Sequence, residues 1–126
     1  PVTPQTAAEL FGAANRARVQ GDLSHAVTLY RQLEATFPRS PEANAAHLSL
    51  GVLYLQQKQP AAALAQLRQR RAAGNASEAE ALWTEAQALR QLGRSAEERA
   101  ALERLVQGFP GSAYIGTANR RLAELR

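Results

Sequence analysis

Apolar residues recur every three or four positions along most of this chain, a spacing that places them on one face of an α-helix. The most apolar run lies in residues 42–57, and weaker runs with the same spacing lie on either side of it. No segment shows a sustained alternation of apolar and polar residues, so no β-strand is predicted. The pattern predicts seven α-helices, at about residues 7–20, 22–37, 42–57, 60–73, 78–92, 96–107 and 113–126.

Short segments rich in Gly, Pro and Ser separate these runs. Four helices end at a residue that does not readily continue a helix: Gly21, Pro38, Gly93 and Pro110. Four serines directly precede a periodic run and are the predicted N-caps: Ser40, Ser77, Ser95 and Ser112. Glutamates follow two of these serines at the spacing of a capping box, at Glu80 and Glu98. Local chemistry therefore predicts the same boundaries as the periodicity.

One block of sequence occurs three times. The blocks start at Gly21, Lys58 and Gly93, which are 37 and then 35 residues apart. Each block leads, at the same distance, to the predicted end of a helix, at Pro38, Asn75 and Pro110. A period of this length is typical of stacked helix pairs, in which each unit buries its apolar face only against its neighbours.

The amino-acid composition excludes some classes of protein and favours others. The 126 residues include 27 Ala and only 6% aromatics, which suits thin, closely packed helices. The absence of Cys excludes disulfides, thiolate metal sites and thiol catalysis. The net charge is +4, with eight basic and four acidic residues in 1–77 and seven of each in 78–126. The chain has no Met, so we expect it to be a piece of a longer protein, with any signal peptide, lipid anchor or transmembrane helix outside it.

Residues able to carry catalysis are few and scattered. His25 and His47 are 22 residues apart, and we expect the first at a surface position and the second at a packing position. Glu97 and Glu98 are neighbours on a helix, so they point about 100° apart and are expected to lie on a solvated face. No phosphate-binding glycine loop or nucleophile elbow is present. We therefore predict no catalytic residue, no cofactor and no metal site, and do not expect an enzyme.

The densest basic cluster is formed by Arg68, Arg70 and Arg71, on the last turns of the predicted fourth helix. Cations at this position stabilise the partial negative charge of a helix C-terminus. The alternative is a candidate basic patch that binds an acidic partner or an anionic lipid surface. Nucleic acid is not the expected partner, because a nucleic-acid binder usually concentrates its charge on one face.

The three blocks resemble the tetratricopeptide repeat (TPR), a helix–turn–helix motif of 34 residues. The motif has a small residue in the first helix, a glycine at the turn, an alanine and then an aromatic or leucine in the second helix, and a closing proline. The first unit supplies Ala14, Gly21, Ala26, Tyr30 and Pro38. The second supplies Gly51, Lys58, Ala63, Leu67 and Asn75, and the third Ala86, Gly93, Glu98, Leu102 and Pro110. The second unit therefore lacks the Gly and the Pro, and Glu98 replaces the packing Ala of the third, where a rotated or wider helix pair is expected.

The resemblance implies an all-α fold, a right-handed superhelix of three TPR-like helix pairs with a C-terminal capping helix. We expect a linker stub at 1–6 and a TPR domain at 7–126, with units at about 7–40, 44–77 and 79–112 and the capping helix at 112–126. In the family, the first helix of each pair lines the inner, concave wall. Carried over to this sequence, the resemblance implies a partner-binding groove formed by Phe11, Asn15, Arg18, Leu48, Val52, Leu55, Trp83, Gln87 and Arg90. The alternative is that these residues pack between units or under the capping helix.

Two junctions point to a subtype. The segments at 37–43 and 109–114 resemble the junctions of TPR proteins of the Gram-negative cell envelope, such as the Tol-Pal coordinator, the outer-membrane assembly lipoprotein and the periplasmic tails of membrane-anchored sigma-factor regulators. The likeness implies a periplasmic scaffold or adaptor that binds a peptide or protein segment without catalysis. Two alternatives stay open: a sensory domain of a membrane-anchored transcription regulator, and a basic surface that binds nucleic acid or anionic glycan. A cytoplasmic location is the alternative to the periplasm.

Overall fold

The chain folds into α-helices joined by short turns. The computed structural model describes residues 5–71 and 76–126, and within these ranges it contains seven α-helices and no β-strand, which confirms the predicted all-α fold. The helices are α1 (Ala7–Val19), α2 (Leu23–Thr36), α3 (Pro41–Gln56), α4 (Pro60–Gln69), α5 (Ala76–Gln91), α6 (Ser95–Gly108) and α7 (Ile115–Glu124). None of these helices is long and apolar enough to cross a membrane.

Successive helices pack as pairs. The closest partners are α1 with α2, α3 with α4, and α5 with α6, and α7 packs against α6. The first helices of neighbouring pairs also pack together, α1 on α3 and α3 on α5, whereas the backbones of the second helices do not approach each other as closely within the described residues. An array that is closer on one side than on the other curves toward that side. The first helices α1, α3 and α5 therefore lie on the concave surface.

The turn inside each pair has the same backbone conformation. Gly21 and Gly93 have positive φ angles of 83° and 72°, and Lys58, at the equivalent position, has a φ of 62°. Glycine adopts this left-handed conformation without a steric penalty, whereas a residue with a Cβ does not. The predicted correspondence of Gly21, Lys58 and Gly93 is therefore visible in the backbone, although the second unit lacks the glycine.

Small residues let the helices of a pair approach closely. A Cβ added to Gly51 of α3 would lie 2.8 Å from a methyl carbon of Leu67 on α4, closer than real side chains come. The core runs through all three pairs rather than collecting in one layer. Its largest fully buried apolar side chains are Leu10, Tyr30, Leu33, Leu50, Leu53, Leu89, Leu102 and Leu105.

Within the described residues, three helices begin with a side-chain N-cap of the kind that the local sequence favours. Ser40 caps α3 as predicted, its hydroxyl accepting a hydrogen bond from the Ala43 N–H at 3.0 Å. Asp22 caps α2 in the same way, by accepting from the His25 N–H. Thr6 forms a reciprocal capping box with Glu9 at the start of α1, a cap that the periodicity did not indicate.

Other helix ends differ from the prediction. The helix α4 ends at Gln69, before the predicted end at 73, and residues 72–75 lie outside the described ranges. Its end is fixed from another helix, because the Asn44 amide on α3 binds both the N–H and the C=O of Arg71, at 2.7 and 3.1 Å. The next helix, α5, begins at Ala76, one residue before the predicted cap Ser77.

The last two helix starts also need correction. Ser95 was predicted to cap α6 but is its first residue, and the cap residue Arg94 makes no capping bond with its side chain. Glu98 therefore does not form a capping box. Ser112 was predicted to cap α7, which instead begins at Ile115, and the Ser112 hydroxyl accepts from the Tyr114 N–H within the turn that precedes the helix.

Candidate partner-binding groove

The nine predicted groove residues lie on α1, α3 and α5, the helices of the concave surface. None of them is fully buried. Arg18 and Arg90 are exposed, and the other seven are half-buried. Phe11, Leu55 and Trp83 pack partly against the core, so they combine a structural contact with an accessible edge.

The centre of the concave surface is a small cavity that we call the central cavity. It has a volume of about 270 Å³ and is lined by Arg18 of α1, Leu48, Ser49 and Val52 of α3, and Glu80 of α5. Three of the predicted groove residues therefore meet there. The floor is apolar, and opposite charges stand on its two sides, a combination suited to an amphipathic peptide segment.

The side chains of α1 are held in place by a buried tyrosine. The Tyr30 hydroxyl donates a hydrogen bond to the Asn15 side-chain oxygen and accepts one from Arg18 Nε at 3.2 Å. Phe11 packs against the same ring, with centroids 6.2 Å apart and planes tilted by 58°. Since Tyr30 is fully buried, it fixes these three groove residues before any partner arrives.

A second cavity lies on the N-terminal side of α3. It has a volume of about 470 Å³, and its lining includes Phe11, Asn44, Leu48, Arg70 and Arg71. Leu48 belongs to both this cavity and the central one. The predicted groove is therefore continuous along α3 from its first to its middle turns.

A third cavity, the terminal cavity, lies between α5 and the α6–α7 turn. It has a volume of about 480 Å³ and is lined by Ala79, Glu80, Phe109, Gly111, Ser112, Ala113 and Tyr114. The Tyr114 ring stacks on Trp83 with centroids 5.1 Å apart and planes 9° from parallel. Sequence reasoning missed Tyr114 and Phe109 as surface-forming residues. Their aromatic side chains flank a Pro-Gly-Ser turn, and in the sequence that pattern indicates a helix boundary and a likeness to the junctions of envelope TPR proteins, but not a surface.

The other predicted groove residues are less closely grouped. Leu55, Gln87 and Arg90 lie toward the C-terminal ends of α3 and α5 and do not line the three cavities. The structure therefore brings together Arg18, Leu48 and Val52.

The three arginines of the predicted basic cluster have different surroundings in the structure. Arg68 pairs with Glu97 at 2.8 Å, and Arg70 pairs with Glu78 at 2.9 Å with only 5% of its side chain exposed. Arg70 and Arg71 lie beyond the end of α4 rather than on its last turn. Ion pairing thus neutralises two of the three cations.

His47 lies in a buried polar cluster that joins α2, α3 and α4. Its Nδ1 is 2.6 Å from Glu34 Oε2 and 2.9 Å from Gln66 Oε1. The hydrogen bond to Glu34 raises the pKa of His47, against an opposing effect of burial. His25 is exposed, so both histidines occupy the predicted kinds of position. The described residues contain no group of three or more side chains arranged to bind a metal.

Glu98 is fully buried, which corrects the expectation of a solvated face. Arg121 of α7 binds it with two hydrogen bonds, from Nε at 2.7 Å and from Nη2 at 3.0 Å. Glu98 thus occupies the position of the family's packing alanine and fastens the seventh helix to α6. Sequence reasoning missed Arg121. The available signal was a carboxylate at a packing position, which requires a cation nearby.

Comparison with known families agrees with this architecture. The sequence profile described as "Tetratricopeptide repeat" matches residues 11–76 and again 60–113. The chain therefore belongs to the TPR family, whose repeats generally mediate protein–protein interactions and are typically non-catalytic scaffolds. No curated protein matches the chain significantly.

Proposed function

We propose that this domain binds a segment of another protein along the concave surface of α1, α3 and α5. The observation that carries the proposal is the central cavity, where half-buried Leu48 and Val52 form an apolar floor beside Arg18. When a partner covers half-buried apolar groups on a concave surface, their removal from water contributes favourably to the free energy of binding. Arginine at the edge of such a surface adds directional hydrogen bonds to the partner.

The proposal is tested by reversing the two exposed arginines of the groove, Arg18→Glu together with Arg90→Glu. The readout is binding to a partner captured from an extract of the source organism and then purified. The matched control is Arg39→Glu with Arg104→Glu, which makes the same charge change on exposed arginines outside α1, α3 and α5. Circular dichroism establishes that both variants are folded.

We expect the groove variant to bind about tenfold more weakly or worse, since two favourable contacts become repulsive, and the control to bind as the native protein does. Equal binding by both folded variants would exclude the concave surface as the binding site.

The cell-envelope context is a further part of the proposal. It is supported by the likeness of the junctions at 37–43 and 109–114 to those of periplasmic TPR proteins. Fractionation of cells that express the complete gene product tests it, and recovery from the cytoplasm alone would contradict it. An upstream transmembrane helix and anti-sigma domain in the complete reading frame would favour the regulatory alternative. Because Arg68 and Arg70 are engaged in ion pairs, we do not propose a polyanion as the partner.

A further inference from the structure

Glu80 lies where two cavities of the concave surface meet. It lines the central cavity together with Leu48 and Val52, and it lines the terminal cavity together with Phe109 and Tyr114. Glu80 therefore lies between the apolar floor of the central cavity and the mainly apolar terminal cavity.

This carboxylate is available to a partner. Five glutamates within the described residues form ion pairs: Glu34, Glu78, Glu97, Glu98 and Glu124. Glu80 is exposed and forms no ion pair within residues 5–71 and 76–126. Arg18, the cation on the opposite side of the central cavity, is hydrogen-bonded to Tyr30 and forms no ion pair with Glu80 within the described residues.

The surroundings of Glu80 determine which side chains complement it. Apolar walls on both sides exclude water when a partner covers them, and a carboxylate without a counter-charge is then costly to desolvate. A cation supplied by the partner offsets this cost, whereas an acidic side chain at the same place adds repulsion. The two cavities, of about 270 and 480 Å³, accept apolar side chains on either side of that cation.

We infer that the groove selects a segment in which a lysine or arginine is flanked on both sides by apolar residues, with the cation on Glu80 and one apolar side chain in each cavity. This inference rests on the proposed function and specifies its partner. Glu80 is then the specificity-determining residue, and the apolar contacts supply the rest of the affinity.

The test uses three synthetic peptides that differ only in the central residue. The first is fluorescein-labelled Gly-Leu-Leu-Ser-Lys-Ser-Leu-Leu-Gly-amide, and the other two carry Gln or Glu in place of Lys. Binding is measured by fluorescence anisotropy against the native domain, Glu80→Gln and Glu80→Lys. Glu103→Gln is the matched control, because it removes the same charge from an exposed position on α6.

The native domain and the Glu103→Gln control are expected to bind the Lys peptide about fivefold more tightly than the Gln peptide, and the Glu peptide most weakly. Glu80→Gln should remove the preference for Lys over Gln, and Glu80→Lys should make the Glu peptide the tightest binder.

Equal binding of the three peptides by the native domain would overturn the inference, as would a Lys preference that survives Glu80→Gln. Absence of binding by the Lys peptide at millimolar concentration would also overturn it. None of these outcomes affects the proposed function, which stands or falls on the arginine-reversal experiment with a captured partner.

Discussion

Two carboxylates, one half-buried and one fully buried, link a helix pair to the next element along the array, and they differ in the partner that each one has. Glu34 joins the first pair to the second through His47 on α3, with 14% of its side chain exposed. Glu98 joins the third pair to α7 through Arg121, with 1% of its side chain exposed. The closest distances are similar, 2.6 and 2.7 Å, although Arg121 binds both oxygens of Glu98 and His47 contacts Glu34 through one ring nitrogen.

The difference lies in which partner can lose its charge. Hydrogen bonds to Glu98 raise the pKa of Arg121, so this guanidinium stays protonated throughout the range in which the protein is folded. Imidazole titrates close to neutrality, and the hydrogen bond to Glu34 raises the pKa of His47 from its ordinary value. The ion pair of Glu98 with Arg121 is therefore permanent at the C-terminal end of the array, whereas the ion pair of Glu34 with His47, nearer the N-terminal end, depends on pH.

The largest effect is expected from Arg121→Ala, which leaves a fully buried carboxylate without its counter-charge. Removal of one partner from a buried pair is strongly destabilising, so we expect Tm to fall by on the order of 10 °C. Glu98→Ala should cost much less, because alanine is the residue that the repeat motif has at this position. Thermal unfolding followed by circular dichroism measures both.

The double variant provides the control for this prediction. Glu98→Ala combined with Arg121→Ala should recover most of the Tm that Arg121→Ala alone loses, since no buried charge is left unpaired. If the two single variants have equal Tm values, the buried ion pair does not determine the stability of the α6–α7 contact.

A smaller, pH-dependent effect is expected from His47→Gln. The pKa of His47 is raised in the folded state, so the protonated imidazole contributes its full stability below its unfolded pKa of about 6.5. That contribution is lost as the pH rises through the raised value. The native protein should therefore exceed His47→Gln in Tm by more at pH 6 than at pH 8.5.

Tm measurements on both proteins between pH 6 and pH 8.5 test whether the difference between them shrinks as the pH rises. A difference that stays constant, or that grows toward pH 8.5, would show that the contact with Glu34 does not favour the charged imidazole.

The smallest effect is expected from Lys58→Gly, which relieves an unfavourable backbone angle and does not involve either carboxylate. Lys58 has a φ of 62°, where glycine is not penalised, so the variant should be more stable by about 1 kcal/mol. Denaturant unfolding measures the gain, which should not depend on pH. Lys58→Ala is the matched control, because it removes the same side chain but keeps the Cβ and should give no such gain.

Most of the fold could be predicted because its causes are local. The periodicity and the cap at Ser40 depend on residues within one or two turns of each other. The errors arose where a distant residue decided the outcome. The end of α4 depends on Asn44, 27 residues away from Arg71, and Glu98 left the predicted capping box because Arg121 binds it from 23 residues away. Neither contact has a signature in a window of one helix.

The structure brings some of the predicted groove residues together, and their role in binding a partner stays a prediction. The resemblance to the TPR implies that Arg18, Leu48 and Val52 lie on the concave side, and in the structure all three line one cavity. The terminal cavity depends on the conformation of the turn before α7, where the helix starts three residues after Ser112, whereas α3 starts directly after Ser40. Two junctions with similar sequences thus have different shapes, a difference that local rules did not predict.

The stacking of Trp83 on Tyr114 has a consequence for how unfolding can be observed. Trp83 is the sole tryptophan in the sequence, so indole emission reports on the C-terminal end of the array, whereas the far-ultraviolet signal averages over all helices. In a repeat array, whose units are stabilised mainly by nearest neighbours, the end can open before the middle. The two spectroscopic signals therefore distinguish fraying of the last unit from cooperative melting of the whole domain, without an added label.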